Sequence, residues 1–207
     1  ASPEENLKRF KKKIAALKRN RRYFDWRSAP AKSHELEVLL QEIHAGVSDP
    51  LIGGELVIAF YETDKGLLGH CDDSDGCIGN VYRYDAQALF IEYAKQYTDK
   101  KKLAKLLLKH IRKDDYGIRD ALIDCAGECL AELDIREMIA AFQQRAEQES
   151  DKYQRRHHLS QIESLARQIK DPLLFEQTCI ASRETLSSSS ITEIARVYLE
   201  RDEVDTA

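Results

Sequence analysis

The chain has 207 residues, of which 43% are hydrophobic and 33% charged, and its formal net charge is −4. Its apolar runs are too short to span a membrane, and five cysteines without a Cys-x-x-Cys pair suit reduced thiols better than a secreted disulfide framework. With only 9 Gly and 4 Pro, helices are favoured over an all-β fold. We therefore expect a cytoplasmic, all-α protein without a membrane partner.

Charge is distributed unevenly along the chain. Residues 1 to 33 contain eleven Lys or Arg and three acidic residues, so their net charge is +8 and that of the remaining residues is −12. A terminal block of one sign is typical of an interaction segment. We predict a basic N-terminal helix and aromatic linker over residues 1–33. A helical-repeat body, forming one continuous domain, is predicted over 34–207.

The first predicted helix covers Glu4 to Asn20. Ser2 and Pro3 favour a start at this point, because a serine oxygen caps free amides and proline suits the first helical position. Apolar residues recur through the helix at steps of three and four, as in an amphipathic helix. They are Leu7, Phe10, Ile14 and Leu17.

An aromatic linker follows this helix, from Arg22 to Ala31. Its sequence, RYFDWRSAPA, breaks the helical pattern and brings Tyr23, Phe24 and Trp26 close together. Aromatic side chains next to a helix end usually belong to a core, so we expect these three to be buried.

About ten helices are predicted in all. After the first they begin beyond Pro30, at Asp49-Pro50 and near Val81, then run over about 100–113, 117–131, 134–148 and 151–169, with two more after Asp171 and residue 190. Asp, Ser or Thr precedes most of these runs, as at Asp134, where such residues cap helices. The short connections favour antiparallel helix pairs stacked in sequence, an α-solenoid.

The end of the chain has the spacing of a tetratricopeptide repeat. The matching positions fall at offsets of 0, 3, 4, 7 and 16, and they are Ile191, Ile194, Ala195, Tyr198 and Ala207. A repeat buries its inner face only by stacking on a neighbour. We therefore expect this body to be truncated at its C-terminus, with a natural chain that continues past Ala207.

Four segments of the sequence resemble one family. They are RYFDWRSAPAKSHELEVLLQEI, DDSDGCIGNVYR, DDYG at 114–117 and DPLLFEQTCIASRETLSSSSITEIARVYLERDEVDTA. Together they are similar to an uncharacterised bacterial all-helical family, found alone or downstream of SWIM-type zinc fingers. The resemblance implies a helical fold and carries no established activity. The Cys-x-Cys and Cys-x-His pairs of the SWIM finger do not occur in this sequence.

Potential metal ligands are concentrated in GHCDDSDGCIGN, residues 69 to 80. If Gly76 is placed at position 6 of a calcium-binding EF-hand loop, Tyr82 falls where the bidentate Glu is required. Zinc would have His70, Cys71 and Cys77 as ligands and would need a distant fourth. The alternative that we favour is a turn in which Ser74 or Asp75 caps the next helix. We expect no metal and no cofactor.

No catalytic motif is evident in the sequence. His34-Glu35 begins like a zincin motif, but Val38 replaces the second histidine. Cys125, Cys129 and Cys179 are expected to be small buried hydrophobes, since no feature supplies the electropositive setting of a reactive thiol. We expect a protein that is not an enzyme.

The basic helix is the clearest candidate for a binding surface. Its cations could neutralise phosphates, with the linker aromatics stacking on bases. The candidate nucleic-acid or anion contacts are Lys8, Lys11, Lys12, Lys18, Arg19, Arg21 and Arg22. A solvated helix face that pairs with the acidic body is the alternative interpretation.

Two functions follow as hypotheses. The leading one is a non-enzymatic helical-repeat module that binds another protein through stacked helix pairs, an argument that rests on the fold. The second is nucleic-acid association through the basic helix, as an accessory domain of a larger DNA-binding protein.

Overall fold

A computed structural model describes residues 2–112 and 114–205, with the backbone alone for 203–205. Helices account for most of the described residues, and the one β-type pairing among them is an isolated bridge between Phe24 and Cys71. The predicted all-α class with about ten helices is confirmed. None of the described helices is long and apolar enough to cross a membrane.

The chain divides into two compact units, Ala1–Cys129 and Leu130–Ala207. The helices of the first unit are α1 (Pro3–Lys18), α2 (Ala29–Gly46), α3 (Pro50–Tyr61), α4 (Asp64–Leu67), α5 (Cys77–Asn80), α6 (Gln87–Gln96), α7 (Lys100–Ile111), α8 (Asp120–Asp124) and α9 (Ala126–Cys129). A 3-10 turn (Leu68–His70) follows α4, and a π-helical segment (Val81–Ala86) connects α5 to α6. The boundary predicted after residue 33 lies inside this unit, where α1 packs on α2, α3 and α4.

The second unit consists of helices that pack in chain order. They are α10 (Glu132–Gln148), α11 (Lys152–Gln168), α12 (Pro172–Ser182) and α13 (Ser188–Asp205). Each packs on the next, and the short connections make consecutive helices antiparallel. The core between α11, α12 and α13 contains Ala166, Phe175, Cys179, Ile194 and Val197.

Aspartate caps start several helices, as the sequence predicts. The carboxylate of Asp49 accepts hydrogen bonds from the amides of Leu51 and Ile52, at 2.8 and 3.0 Å. Asp99, Asp151 and Asp171 cap α7, α11 and α12 in the same way. These bonds satisfy amides that have no partner inside their own helix.

Two predicted boundaries are wrong. Asp134 does not start a helix, because α10 begins at Glu132 and Asp134 is a buried residue of its first turn. The helix predicted over 117–131 is two short helices, since the backbone leaves helical geometry at Cys125, with φ −108° and ψ 5°. Cys125 and Cys129 are nevertheless both buried, as is Cys179, which confirms their prediction as buried residues.

Gly53 lets α3 approach α6 closely. A Cβ atom at this position would lie 2.3 Å from the ring of Tyr93, so only glycine fits without a shift. The Tyr93 hydroxyl then donates to the carbonyl of Val47 at 2.7 Å. Gly66 has a similar role in α4, since its Cβ would lie 2.4 Å from the carbonyl oxygen of Leu17. This second contact fixes the end of α1 against the unit.

A buried ion pair connects α4 to the residue before α8. Arg119 donates from Nε and Nη2 to the two carboxylate oxygens of Asp64, at 3.0 and 2.9 Å, and from Nη1 to the carbonyl of His110 at 2.7 Å. The two side chains are 3% and 0% exposed. Such a pair persists in a core because its geometry is bidentate and its remaining donors are satisfied.

The tetratricopeptide pattern at the chain end is only partly buried. Ile194 is 8% exposed, whereas Ile191 is 56% and Leu199 is 63% exposed, with Ala195 also exposed between them. Residues 191, 195 and 199 lie on one face of α13, so this face carries an exposed apolar stripe. Ala207 lies outside the described residues, and the repeat stays a prediction.

Candidate nucleic-acid interface

Helix α1 is held by its ends and by one apolar face. The Ser2 hydroxyl accepts from the amide of Glu5, and the Glu5 carboxylate accepts from the Ser2 amide at 2.7 Å, a complete capping box. Phe10, Ile14 and Leu17 are buried against the unit. The basic residues are therefore left to the sides and the outer face of a fixed helix.

The predicted cations of α1 separate into two groups. Lys8, Lys12 and Arg19 follow at steps of four and seven, which places them on the face opposite the buried residues. All three are exposed, and among the described residues no carboxylate lies within ion-pair distance of them. Their charges are free for an outside ligand.

Lys11 and Lys18 belong to the second group, on the side of α1 that faces α3. Both line a groove between the two helices. Lys18 is already engaged, because its ammonium lies 2.9 Å from the carboxylate of Glu62. Lys13, on the other side of α1, is paired with Glu42 at 2.7 Å. The structure thus removes Lys11 and Lys18 from the outward basic face that the sequence suggested.

The linker after α1 is tied down by hydrogen bonds. The side-chain amide of Asn20 donates to the carbonyl of Gly66 at 2.8 Å. Phe24 donates from its amide to the carbonyl of His70, and its own carbonyl accepts from the amide of Asp72, both at 2.8 Å. The linker therefore holds a fixed conformation between α1 and α2.

Two of the three linker aromatics are exposed, so the expectation that all three are buried is wrong. Tyr23 is 64% and Trp26 is 55% exposed, while Phe24 is half-buried. For Tyr23 the reason is the bridge at Phe24, because neighbouring residues in an extended segment point to opposite sides, whereas Trp26 lies in the turn before α2. The guanidinium of Arg27 lies over the Trp26 ring, 5.1 Å from its centroid. The sequence pattern did not indicate that Trp26 is exposed.

The carboxylate within the linker is used internally. The Asp25 side chain accepts from the amide and the hydroxyl of Ser28, at 2.9 and 2.6 Å. These hydrogen bonds lower the pKa of Asp25, and the bond from the Ser28 hydroxyl has the largest effect. The positive charge of Arg27 lowers the pKa further. The carboxylate thus caps the turn before α2, where it sits beside the exposed cations.

We refer to the outward face of α1 and the exposed linker side chains together as the basic–aromatic surface. Arg21 and Arg22 are exposed and extend the outward face into the linker. Arg22 precedes Tyr23 in the sequence, and Arg27 follows Trp26. The surface consists of Lys8, Lys12, Arg19, Arg21, Arg22, Tyr23, Trp26 and Arg27.

The metal-ligand candidates of residues 69–80 are arranged as a helix start. Asp73 accepts from the amides of Ile78 and Gly79, both at 2.8 Å, so it caps α5 in place of the predicted Ser74 or Asp75. Ser74 instead donates to Asp72. The correction follows from Gly76, whose φ of +69° turns the chain so that the Asp73 carboxylate reaches over the helix end.

The thiols beside this turn are not activated. Burial is the main cause that raises the pKa of Cys71 to about 11, with the charge of Asp73 adding to it. The pKa of Cys77 is also raised by burial and by its hydrogen bond to Asp73. Within residues 69–80, all of which are described, no three ligand-type side chains come within 4.8 Å of one another.

An all-helical protein with a basic–aromatic surface at its N-terminal end is the class that these features define. A model of a family of unknown function, DUF6880, matches residues 1–193. The chain belongs to that family, which confirms the expected membership of a family of unknown function. No curated protein and no solved structure matches the chain.

Proposed function

We propose that this protein is a non-enzymatic helical module that associates with single-stranded nucleic acid through the basic–aromatic surface. The observation that carries the proposal is the exposure of Trp26 and Tyr23 among exposed arginines. Exposed aromatic rings next to cations are the combination that single-strand binding surfaces use.

The cations of the surface supply a track for phosphates. Lys8, Lys12 and Arg19 line one face of α1 and have no carboxylate to compete for them among the described residues. The eleven residue steps from Lys8 to Arg19, the C-cap of α1, correspond to a helical rise of about 16 Å. That length fits a backbone of a few nucleotides.

Single strands suit this surface better than duplexes. Tyr23 and Trp26 are exposed, with the Arg27 guanidinium over one face of the Trp26 ring, and a base must be unstacked before it can lie on an open ring face. The linker has no helix that could enter a major groove, since residues 19–28 are held as an extended segment and a turn. The basic–aromatic surface therefore reads the backbone and base faces and carries no sequence code.

Salt dependence of binding tests the proposal. A labelled single-stranded oligonucleotide is titrated by fluorescence anisotropy at several salt concentrations, with wild-type protein and with Lys8, Lys12 and Arg19 changed to Gln. The slope of log affinity against log salt should fall by about 0.7 for each phosphate that the variant no longer neutralises, or about 2 in total.

The matched control removes the same charge elsewhere. Lys101, Lys105 and Lys109 are exposed on one face of α7, and changing them to Gln alters the net charge equally. This control should bind like wild-type protein. If both triple variants lose the same affinity, net charge rather than the basic–aromatic surface governs binding, and the proposal fails.

Protein binding by the second unit is the other candidate function. The specific observation is the apolar stripe of α13, together with Leu173 and Ile180 of α12, which are 57% and 54% exposed. Stacked helix pairs extend by covering such faces with a further pair. We propose a helical hairpin with an apolar face as the occupant, in keeping with a tetratricopeptide-like role.

Site-specific photo-crosslinking tests this second candidate. A photoreactive residue at Leu199 should capture one protein that binds again after purification and fails to bind Leu199→Asp. A photoreactive residue at the exposed Arg196 of the same helix is the control. Equal capture from both positions, or purified partner binding Leu199→Asp as well as wild type, would count against the stripe.

The family resemblance also suggests a place for this chain next to a zinc finger. We propose a bacterial protein that works as an accessory region next to a SWIM-type zinc finger, because a single-strand binding surface would assist a neighbouring DNA-binding domain. The gene that encodes the chain, read in full with its neighbouring domains, tests this directly.

A further inference from the structure

A preformed apolar groove lies between α1 and α3, on a different side of α1 from the basic–aromatic surface. Its volume is about 350 Å³, near the lower end of the range of about 300–1,000 Å³ for ligand sites. Apolar residues from both helices form its floor and walls. They are Leu7, Ile14, Ala15, Ile52, Leu56 and Ala59.

The shape of the groove comes from small residues at its centre. Ile14 and Leu56 are 4% and 3% exposed and close the floor, whereas Ala15 and Ala59 are only half-buried. An alanine on each wall leaves room where two larger side chains would have met. The groove is therefore open to solvent where the two alanines face each other.

Opposite charges stand on the two walls. Lys11 and Lys18 belong to the α1 wall, and Glu55 and Glu62 to the α3 wall. Lys18 and Glu62 are joined at 2.9 Å and close one end of the groove. Lys11 and Glu55 are not joined to each other in the described part of the chain. The nearest cation to Glu55 is Lys102 of α7, at 3.4 Å.

We propose that this groove binds an amphipathic helix of a partner protein, with two large apolar side chains one turn apart. The lining residues recur along α1 and α3 at steps of three, four and seven, which is the periodicity that a docked helix also presents. The partner helix carries a carboxylate on the flank that faces Lys11.

The wall charges favour a helix over an uncharged apolar molecule. A small apolar ligand would cover Ala15 and Ala59 and leave the Lys11 ammonium without a partner, whereas Glu55 already pairs with Lys102. A helix with an acidic flank covers the same apolar floor and also pairs Lys11. This site is separate from the nucleic-acid surface, since Lys8, Lys12 and Arg19 lie on the outward face of α1.

A selection from a display library of helical peptides tests the proposal. The library is enriched on the full chain and counter-selected on Ala15→Phe, which fills the groove. Selected peptides should carry two large apolar residues one turn apart, flanked by an acidic side. Their dissociation constants should rise about tenfold or more with Ala15→Phe and with Ala59→Phe on the opposite wall.

The control is a change of the same kind at a neighbouring position. Ala16 is exposed on α1 and does not line the groove, so Ala16→Phe should bind the peptides as wild-type protein does. Lys11→Glu should weaken the peptides by a few-fold, and it remains informative if either filled variant fails to fold. Neutralising Lys8, Lys12 and Arg19 should leave peptide affinity unchanged, which separates this site from nucleic-acid binding.

Three results would overturn the proposal. The first is that no peptide is enriched, and the second is that the enriched peptides bind Ala15→Phe as tightly as wild-type protein. The third is concentration-dependent self-association of the wild-type chain, abolished by Ala15→Phe in sedimentation experiments, which would assign the groove to a second copy.

Discussion

Phe24 and Cys71 form an isolated parallel bridge that ties the aromatic linker to the turn before α5. Two backbone hydrogen bonds of 2.8 Å make the bridge, one from the Phe24 amide and one to its carbonyl. Tyr23 directly precedes the bridged residue and Trp26 lies in the turn that follows it, and both side chains are exposed. Since their positions are set before a ligand arrives, little ordering entropy opposes binding at the basic–aromatic surface.

Loss of the exposed rings should weaken nucleic-acid binding without affecting stability. Tyr23→Ala and Trp26→Ala each remove one stacking platform, which is worth about 1–3 kcal/mol per base. Affinity for a single-stranded oligonucleotide should fall by about 5- to 150-fold for each variant. Anisotropy titration measures the affinity, and thermal unfolding should show an unchanged midpoint.

Tyr153→Ala provides the comparison for these two variants. Tyr153 is 80% exposed on α11, in the second unit and outside the proposed surface. Its removal should leave affinity as it was. Binding that is insensitive to Trp26→Ala would show that the cations act without the aromatic rings.

Gly53 and Gly54 should respond in opposite ways to the same substitution. Gly53→Ala places a Cβ 2.3 Å from the Tyr93 ring, whereas Gly54→Ala places one 3.5 Å from Tyr97, an ordinary contact. Overpacking should cost about 1–3 kcal/mol at Gly53. At Gly54 the helix should gain up to about 1 kcal/mol from lost backbone freedom. Denaturant unfolding measures both, and equal effects would contradict the packing of α3 on α6.

Removing one partner of the buried ion pair should be strongly destabilising. Arg119→Met leaves the Asp64 carboxylate uncompensated at 0% exposure, and the free energy of unfolding should fall by about 3–5 kcal/mol. A double variant, Asp64→Leu with Arg119→Met, should lose less than the single variant because no buried charge remains. A single variant that costs under about 1 kcal/mol would show that water reaches Asp64.

His110 should make stability depend on pH. Its Nδ1 lies 2.8 Å from a carboxylate oxygen of Glu62. Burial lowers the pKa of His110 below its ordinary value of 6.5, and the charges of Arg119 and Lys109 lower it further, against the opposing effect of Glu62. Because the unfolded state then binds protons more readily, stability present above pH 6.5 is lost as pH falls through the folded pKa.

His110→Gln removes this titration, so its unfolding free energy should fall less than that of wild-type protein as the pH is lowered. The pKa of His158 is also lowered, mainly by burial, so the difference between variant and wild type is the relevant quantity. Identical pH profiles would mean that His110 is as well solvated in the folded state as in the unfolded chain.

Helices and their caps were predictable from sequence because they depend on local chemistry. Asp49, Asp151 and Asp171 precede apolar-periodic runs, and each caps the helix that was expected to follow. The break at Cys125 was not predictable. Nor was the ion pair that Asp64 forms with Arg119, at the turn where the Asp114 carboxylate accepts from the amides of Tyr116 and Arg119. That pair joins residues far apart in sequence.

The candidate surface was predictable in part for the same reason. Helical periodicity could have shown that Lys8, Lys12 and Arg19 lie opposite Phe10 and Ile14, since this requires only the chain order. The pairing of Lys18 with Glu62 depends on how α1 meets α3. Exposure of Trp26 depends on how the chain folds between the bridge at Phe24 and the turn before α2, which no local pattern indicates.

Fluorescence of Trp26 tests the central claim most directly. The chain contains one tryptophan, so emission excited beyond the absorption of tyrosine reports on this position alone. Titration of the intact protein with a single-stranded oligonucleotide should quench and saturate the emission, and added salt should reverse the change. Emission that stays constant while anisotropy shows the oligonucleotide bound would place the nucleic acid elsewhere and contradict the proposed surface.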